Sequence, residues 1–584
     1  MRCKKALATV LFLSLPAVLT PARAGHEFPY YPSFYAQGIR VETVTPGVAA
    51  QRLQSGSLHA FIGEDLYRAG KIPDDVGFVD SLGAYVVATV DGPSALPSDR
   101  DYRCALISET LSLLAGLKGY VFHPYPVTPY HADYLQHFDL VESLKGRYLR
   151  GPVQGGNSTK VTPRFRARGA LAEELIGARR WSSGAPWDVT IEGVDIGGLI
   201  SAHGTRFDGW LGPPWLKEGW YQAYMLLTER IRDKAARQGA DTVVQGLIHG
   251  DHKGLEEKLD QERRLIALLT HSCEAAVVGY TVKREYFNSG YSTGIENVAF
   301  DSHTGLNSSI FIRTAKLKDF PWNGWLRVGI NGRPVAAWNP VGGFTDPFGR
   351  LVWSTVGDPA LLPAPYGSGW IANRITVSAP EDPGWLARLR SWLNARIGRA
   401  GVISVPRDAL IPEPGSGRLR RVGTGKEARA RIVYSVLTSA FHDGSLMSVG
   451  DALYPYVMGF AWGSEGSREG THDRVVEKST ALMRARLVAF RVARIDTRVV
   501  TLGDIKQTWE NPVVEVYLRA TSADGQQATS VAPPWASVPW HVMALMEEAV
   551  RRRVAAFSEE EARRKDVEWL DLVRRPAVND RLAG

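Results

Sequence analysis

The first 24 residues constrain everything after them, because they decide in which compartment the chain folds. A basic head (Arg2, Lys4, Lys5) precedes an apolar run from Ala6 to Leu19, interrupted by Ser14 and Pro16, and the small-residue pattern Ala22-Arg23-Ala24 closes it. That is a secretory signal, with cleavage expected after Ala24. The apolar run has about 14 residues, whereas a helix crossing ~30 Å of hydrocarbon needs ~20, so a retained anchor is the poorer reading. Cys3 lies ahead of the run and not at the cleavage site, so no lipid attachment is expected. The predicted location is a periplasm, with no transmembrane segment after signal cleavage.

Of 584 residues, roughly 560 remain after cleavage, more than one hydrophobic core supports. Loss of four basic and no acidic residues lowers the net charge from +8 to +4. Basic clusters such as Arg551-Arg552-Arg553 are interleaved with Glu547, Glu548 and Glu559 to Glu561, so no basic stripe forms and no nucleic-acid partner is expected. Cys104 and Cys273 are the cysteines of the mature chain. An oxidising compartment permits one disulfide, but spacing alone leaves open whether they pair or stay buried thiols.

Composition and periodicity divide the chain into a signal peptide (1–24), an α/β lobe (25–150), a Trp- and Gly-rich mixed α/β region (151–411) and a C-terminal α/β lobe with a helical tail (412–584). Strand-like IRVETV, helix-like PGVAAQRLQSGSLHA and the Val/Ala-rich strand LGAYVVATV predict a largely parallel sheet at the N-terminal end. The polar, Gly-rich stretch Arg150 to Pro163 and the stretch Pro412 to Gly425 are the expected boundaries. Helices are expected over Glu218–Gln238 and Leu255–Glu274, strands over Arg431–Leu437 and Val513–Leu518, and a helical tail from Trp540 through Glu561 toward Val573.

The segment LQSGSLHAFIGEDLYRAG, Leu53 to Gly70, resembles periplasmic solute-binding proteins of the phosphonate-binding type. Gly56, Gly63, Glu64 and Tyr67 occupy places comparable to that family's helix-end turn and cleft tyrosine, with His59 where the family has Asp. A second run, AFHDGSLMSVGDALYPYVMGFAWG, resembles the signature stretch of oligopeptide-type solute-binding proteins through Phe441, His442, Asp443, Gly444 and Asp451. In that family it lies near the N-terminus, whereas here it falls in the last quarter. The two resemblances imply periplasmic-binding-protein-like lobes with mixed or parallel sheets.

The densest polar constellation is FHPYPVTPYHADYLQHFD, Phe122 to Asp139. Pro124, Pro126 and Pro129 hold its first half extended, and Thr128 with Pro129 is a predicted helix start. Asp133 and His137 then share a helix face at i, i+4, and a metal would need His123 or His131 folded back as a further ligand. Tyr125, Tyr130 and Tyr134 point instead to small-molecule recognition. His249-Gly-Asp-His252 reads as a loop. Gly423-Thr-Gly-Lys426 lacks the upstream Gly and the Ser/Thr of a phosphate loop, and no G-x-S-x-G elbow occurs.

The sequence therefore predicts a solute-binding protein that holds a small polar or peptide-like ligand in an interlobe cleft for a membrane permease of the ABC type. The expected ligand-binding residues are Glu64, Tyr67, Tyr125, Thr128, His131 and Tyr134, with no catalytic residue, no cofactor and no resident metal. The alternatives are a periplasmic, metal-dependent enzyme built on the His/Asp cluster and the middle region, and an assembly scaffold acting through the tail.

Overall fold

The computed structural model describes residues 36–573, apart from residues 69, 94–98, 150–160, 178–185, 204–214, 251, 253, 320–323, 378–401, 442, 466–470, 503–504 and 520–527. The signal segment and His442 lie outside the described residues.

Two sheets organise the chain. The first has eight strands: β1 (Gly38–Thr43), β2 (Ala60–Ile62), β3 (Val76–Val90), β4 (Val121–Phe122), β5 (Phe165–Arg168), β6 (Val189–Asp195), β7 (Ala275–Asn288) and β8 (Trp325–Ile330). Their order is β1-β8-β2-β7-β3-β6-β5, with β4 added on β7. Three pairs, β1 with β8, β8 with β2 and β5 with β6, run parallel. Those of β7 with β2, β3 and β4, and of β3 with β6, run antiparallel. The expected largely parallel sheet is therefore mixed. The cause is β7, a 14-residue strand on which β2, β3 and β4 all converge.

Helices alternate with these strands along the chain. They are α1 (Pro46–Gln54), α2 (Arg100–Leu114), α3 (Tyr134–Leu149), α4 (Gly219–Leu227), α5 (Lys234–His249) and α6 (Leu255–His271). The single helix expected over Glu218–Gln238 is broken, because Asp233 accepts bonds from Ala235 N and Ala236 N and starts α5 afresh. Gly250, left-handed at φ 68°, ends α5, so the His249 to His252 stretch contains a helix terminus. Cys104 of α2 and Cys273, just before β7, form a disulfide that closes a separation of 169 residues.

The second sheet has six strands and draws on segments either side of residue 412, from Ile375–Val377 to Ile505–Leu518. Its two long strands, Leu487–Leu502 and Ile505–Leu518, pair antiparallel. The stretch Gly423 to Lys426 makes left-handed turns at Gly423 and Gly425 with no helix after it, as its departure from a phosphate loop implies. In the Phe441 to Asp451 run, the described residues make a turn and a helix start. Gly444 turns the chain at φ 84°, and Ser448 with Asp451 makes a capping box on the helix Val449–Trp462.

The tail contains two helices, Trp540–Arg551 and Glu559–Lys565, separated by the strand Ala555–Ala556. Met543, Met546, Val550, Phe557 and Leu570 belong to the same buried cluster as Tyr456 and Trp462. Asn339 fixes the tail from outside by donating to Phe557 O and Leu570 O. One face of the tail is thus part of the core, while Trp540 and Leu545 stay exposed.

Lys217 bonds Asp301 and donates to Ala364 O, and Ser302 N donates to Pro365 O. Asp358 lies between Arg313 and Arg374.

Candidate functional site

The candidate site grows from β4. Val121 and Phe122 pair with Tyr280 and Gly279 of β7, and the next residue, His123, donates its amide to Val278 O. Pro124 and Pro126 then keep the backbone out of helix until Thr128, where the chain turns before Pro129, with His131 N donating to Thr128 O. The expected helix start is corrected here: α3 begins at Tyr134. Thr128 does not cap it. Its amide donates to His131 Nδ1 at 2.8 Å, and its hydroxyl lies 3.0 Å from the same nitrogen.

That amide contact fixes the tautomer. Because Nδ1 accepts, the proton of neutral His131 sits on Nε2, which donates to Gln222 Oε1 at 2.8 Å. Tyr85 closes the group: its hydroxyl lies 2.9 Å from His131 Nε2, 3.0 Å from Gln222 Oε1 and 3.2 Å from Pro126 O. Burial pushes the His131 imidazole down to about 4 despite these bonds, so it is neutral near pH 7. The His303 ring stands 5.1 Å away, edge to face, and burial holds it well below the usual histidine range too.

A second polar group lies one turn further on. Asp133 accepts from Gly219 N at 2.7 Å and Trp220 N at 3.2 Å, satisfying the first turn of α4. Tyr125 Oη lies 2.9 Å from His137 Nδ1, and His137 Nε2 faces Glu262 Oε2 of α6 at 3.5 Å and Asp133 Oδ2 at 3.9 Å. Lys258 reaches both Glu218, at 3.1 Å, and Glu262, at 3.2 Å. Burial, with Glu218 and Glu262 nearby, pushes the Asp133 carboxyl up to about 7. The third partner of Asp133 and His137 is therefore Glu262, not His123 or His131. His123 turns away and bonds Val127 O.

Tyr125, Thr128 and His131 are buried and spend their polar atoms inside the protein. Tyr134 is half-buried, edge to face with Phe138. Glu64 is exposed, with Asn331 Nδ2 at 3.5 Å, and Tyr67 packs edge-on against Tyr286 at 5.0 Å.

One face of β7 runs between Tyr130 and Tyr67. Tyr280, Val282, Arg284 and Tyr286 alternate onto the same side of the strand. Tyr130 stands edge-on against Tyr280 at 5.9 Å at one end, and Tyr67 against Tyr286 at the other. Between them Arg284 makes a bidentate pair with Asp80, both bonds 2.7 Å, and its guanidinium lies 4.0 Å over the ring of Phe78. On this face Val282 is 39% and Phe78 44% exposed, whereas Leu82, across from Val282, and the strand's own Tyr280 and Tyr286 are buried. From Tyr280 to Tyr286 the strand advances about 20 Å. Phe78 escaped sequence reasoning as a site residue, and the charged run VKREY hides that Arg284 lies on a central strand.

No family model matches the chain, and no curated protein matches it. Among solved structures, it is similar to the oligopeptide-binding protein AppA from Bacillus subtilis in complex with a nonapeptide, at 13% identity and TM-score 0.25, over 45% of this chain and 57% of that one. It is also similar to the periplasmic EDTA-binding protein EppA, at 11% identity and TM-score 0.23, over 43% and 53%. NikZ from Campylobacter jejuni, in complex with Ni(L-His), matches at 16% identity and TM-score 0.22, over 42% and 54%. The chain spans about half the length of these structures.

Proposed function

We propose that this chain is a periplasmic solute-binding protein whose ligand is an extended, polar or peptide-like molecule laid along the partly exposed face of β7. The observation that carries the reading is that face: two tyrosine-capped ends about 20 Å apart with a partly exposed, charged pair, Arg284 and Asp80, between them. Tyrosines present flat apolar area with a polar tip, and a paired Arg and Asp offer both signs of charge to a zwitterionic backbone. In this arrangement Tyr67, Tyr130 and Tyr134 touch ligand, with Glu64 at the rim. Tyr125, Thr128 and His131 act behind them, holding the segment that presents Tyr130. Closure of the second lobe over the face would trap the solute and offer the loaded form to a membrane permease.

The test is native mass spectrometry of the periplasm-purified mature protein before and after gentle unfolding, followed by calorimetry with the released molecule or with short peptides. A released small organic molecule, with affinity reduced at least about tenfold in Tyr130→Ala and Arg284→Ala, is expected. Absence of any retained molecule together with no heat from a peptide panel would overturn the reading.

A further inference from the structure

The group at Asp133, His137 and Glu262 is not used by the β7 face and poses its own question. The three offer ligand atoms that all lie within 4.8 Å of one another. All three are buried, at 3%, 0% and 1% exposure. A cluster of carboxylates alone would mean little. Here, however, His137 Nε2 is completely buried, has no hydrogen-bond partner and points between the two carboxylates. Its distances, 3.5 Å to Glu262 and 3.9 Å to Asp133, are too long for hydrogen bonds. They are close to what a shared cation requires: bonds of about 2.1 Å at a tetrahedral angle set donor atoms about 3.4 Å apart.

The atoms behind the ligands fit the same role. Metal-binding histidines donate their other ring N–H to an oriented acceptor, and Tyr125 Oη stands 2.9 Å from His137 Nδ1 in that position. With Nδ1 protonated, Nε2 offers its lone pair to the space between the carboxylates. Asp133 is held by the amides of Gly219 and Trp220, and Glu262 by Lys258 through its other oxygen. The ammonium of Lys258 is divided between Glu262 and Glu218, so its charge does not serve Asp133.

We infer that Asp133, His137 and Glu262 form a structural site for one divalent first-row transition cation of the zinc class, clamping α3 to α6 behind the ligand face. One imidazole and two carboxylates suit a borderline ion and do not suit calcium, which takes oxygen ligands. The complete burial implies that the ion enters as the chain folds. It should then resist chelators in the native state and leave on unfolding.

The mature full-length protein, unfolded with chelator, would be refolded with Zn²⁺ and separately with Co²⁺, then freed of excess ion. Elemental analysis should find about one Zn²⁺ per chain, and Co²⁺ should give the visible ligand-field bands of a tetrahedral site. His137→Gln and Glu262→Gln should each lower the content below about 0.1 and abolish the bands. If these variants do not fold, the wild-type metal count and cobalt spectrum decide. A natively folded wild-type protein that binds less than about 0.1 Zn²⁺ and shows no cobalt bands would overturn the inference. So would variants that fold and keep their metal. The result is separable from the solute reading, because ligand affinity is measured at Tyr130 and Arg284.

Discussion

Removing the Cys104–Cys273 bridge by Cys104→Ser with Cys273→Ser should destabilise the first lobe selectively. The bond closes a separation of 169 residues, and the chain-entropy relation for a loop of that length gives about 17 cal/mol/K, or about 5 kcal/mol at 25 °C. Both anchors are well seated: α2 packs Leu106, Ile107 and Leu111 into the core beneath β3, and Cys273 enters β7 directly. With a urea m value of about 3 kcal/mol/M, the loss corresponds to a midpoint about 1.7 M lower. Trp220 reports on the first lobe, whereas Trp462 and Trp535 are buried in the second, so single-tryptophan variants separate the transitions. The first should move and the second should stay. A shift below about 0.3 M would refute the entropic reasoning, and two titratable thiols in the unreduced, unfolded mature protein would refute the pairing itself.

His59 and His123 are both buried, and burial lowers each from 6.5 to about 4, so the folded state binds their protons more weakly than the unfolded state does. Their contribution is fully present above pH 6.5 and is lost as pH falls toward 4, up to about 3 kcal/mol each; urea midpoints at pH 7.5, 6 and 5 should fall steadily, and a flat profile would contradict the assignment. Asp358→Asn leaves Arg313 and Arg374 facing a neutral amide and should cost about 3–5 kcal/mol by chemical denaturation, whereas a cost under about 1 kcal/mol would mean the triad is solvated in solution. In Gly279→Ala the new Cβ would meet Val121 O at 2.1 Å, so β4 must move off β7; melting curves should show a loss of about 1–3 kcal/mol, and an unchanged melting temperature would contradict that close approach.

The periodic elements were legible and the site was legible only by address. Helix α1 follows from Pro46 at its start and from one dry stripe, Ala49 and Leu53, and the buried half of β3 from its Val- and Ala-rich run, which is dry on both faces. Strand β7 was not, since Lys283, Arg284 and Glu285 put charge on both faces of a central strand. Glu285 pairs with Lys283, two residues before it, and accepts from the Leu306 amide, 21 residues downstream and outside any local window. Missing β7 made the sheet look parallel. Glu262 did leave a trace, as a carboxylate on the same helical stripe as Leu265, Ile266 and Leu269, where an acid is stable only with a partner.

The His/Tyr segment shows why an address falls short of a role. Three prolines remove the periodicity that separates inward from outward side chains, so Thr128, Tyr130 and His131 are indistinguishable by pattern. What separates them is Gln222, almost a hundred residues downstream: it takes His131 into a buried bond and leaves Tyr130, one residue earlier, turned toward Tyr280 and the β7 face. If that division is right, His131→Ala should lower stability through the orphaned Gln222 and Thr128 groups, and weaken ligand binding only by loosening Tyr130. Tyr130→Ala should do the reverse, weakening binding with the melting temperature nearly unchanged. Equal effects of the two substitutions on affinity and stability would mean that the buried network and the exposed ring are not separate parts of the site.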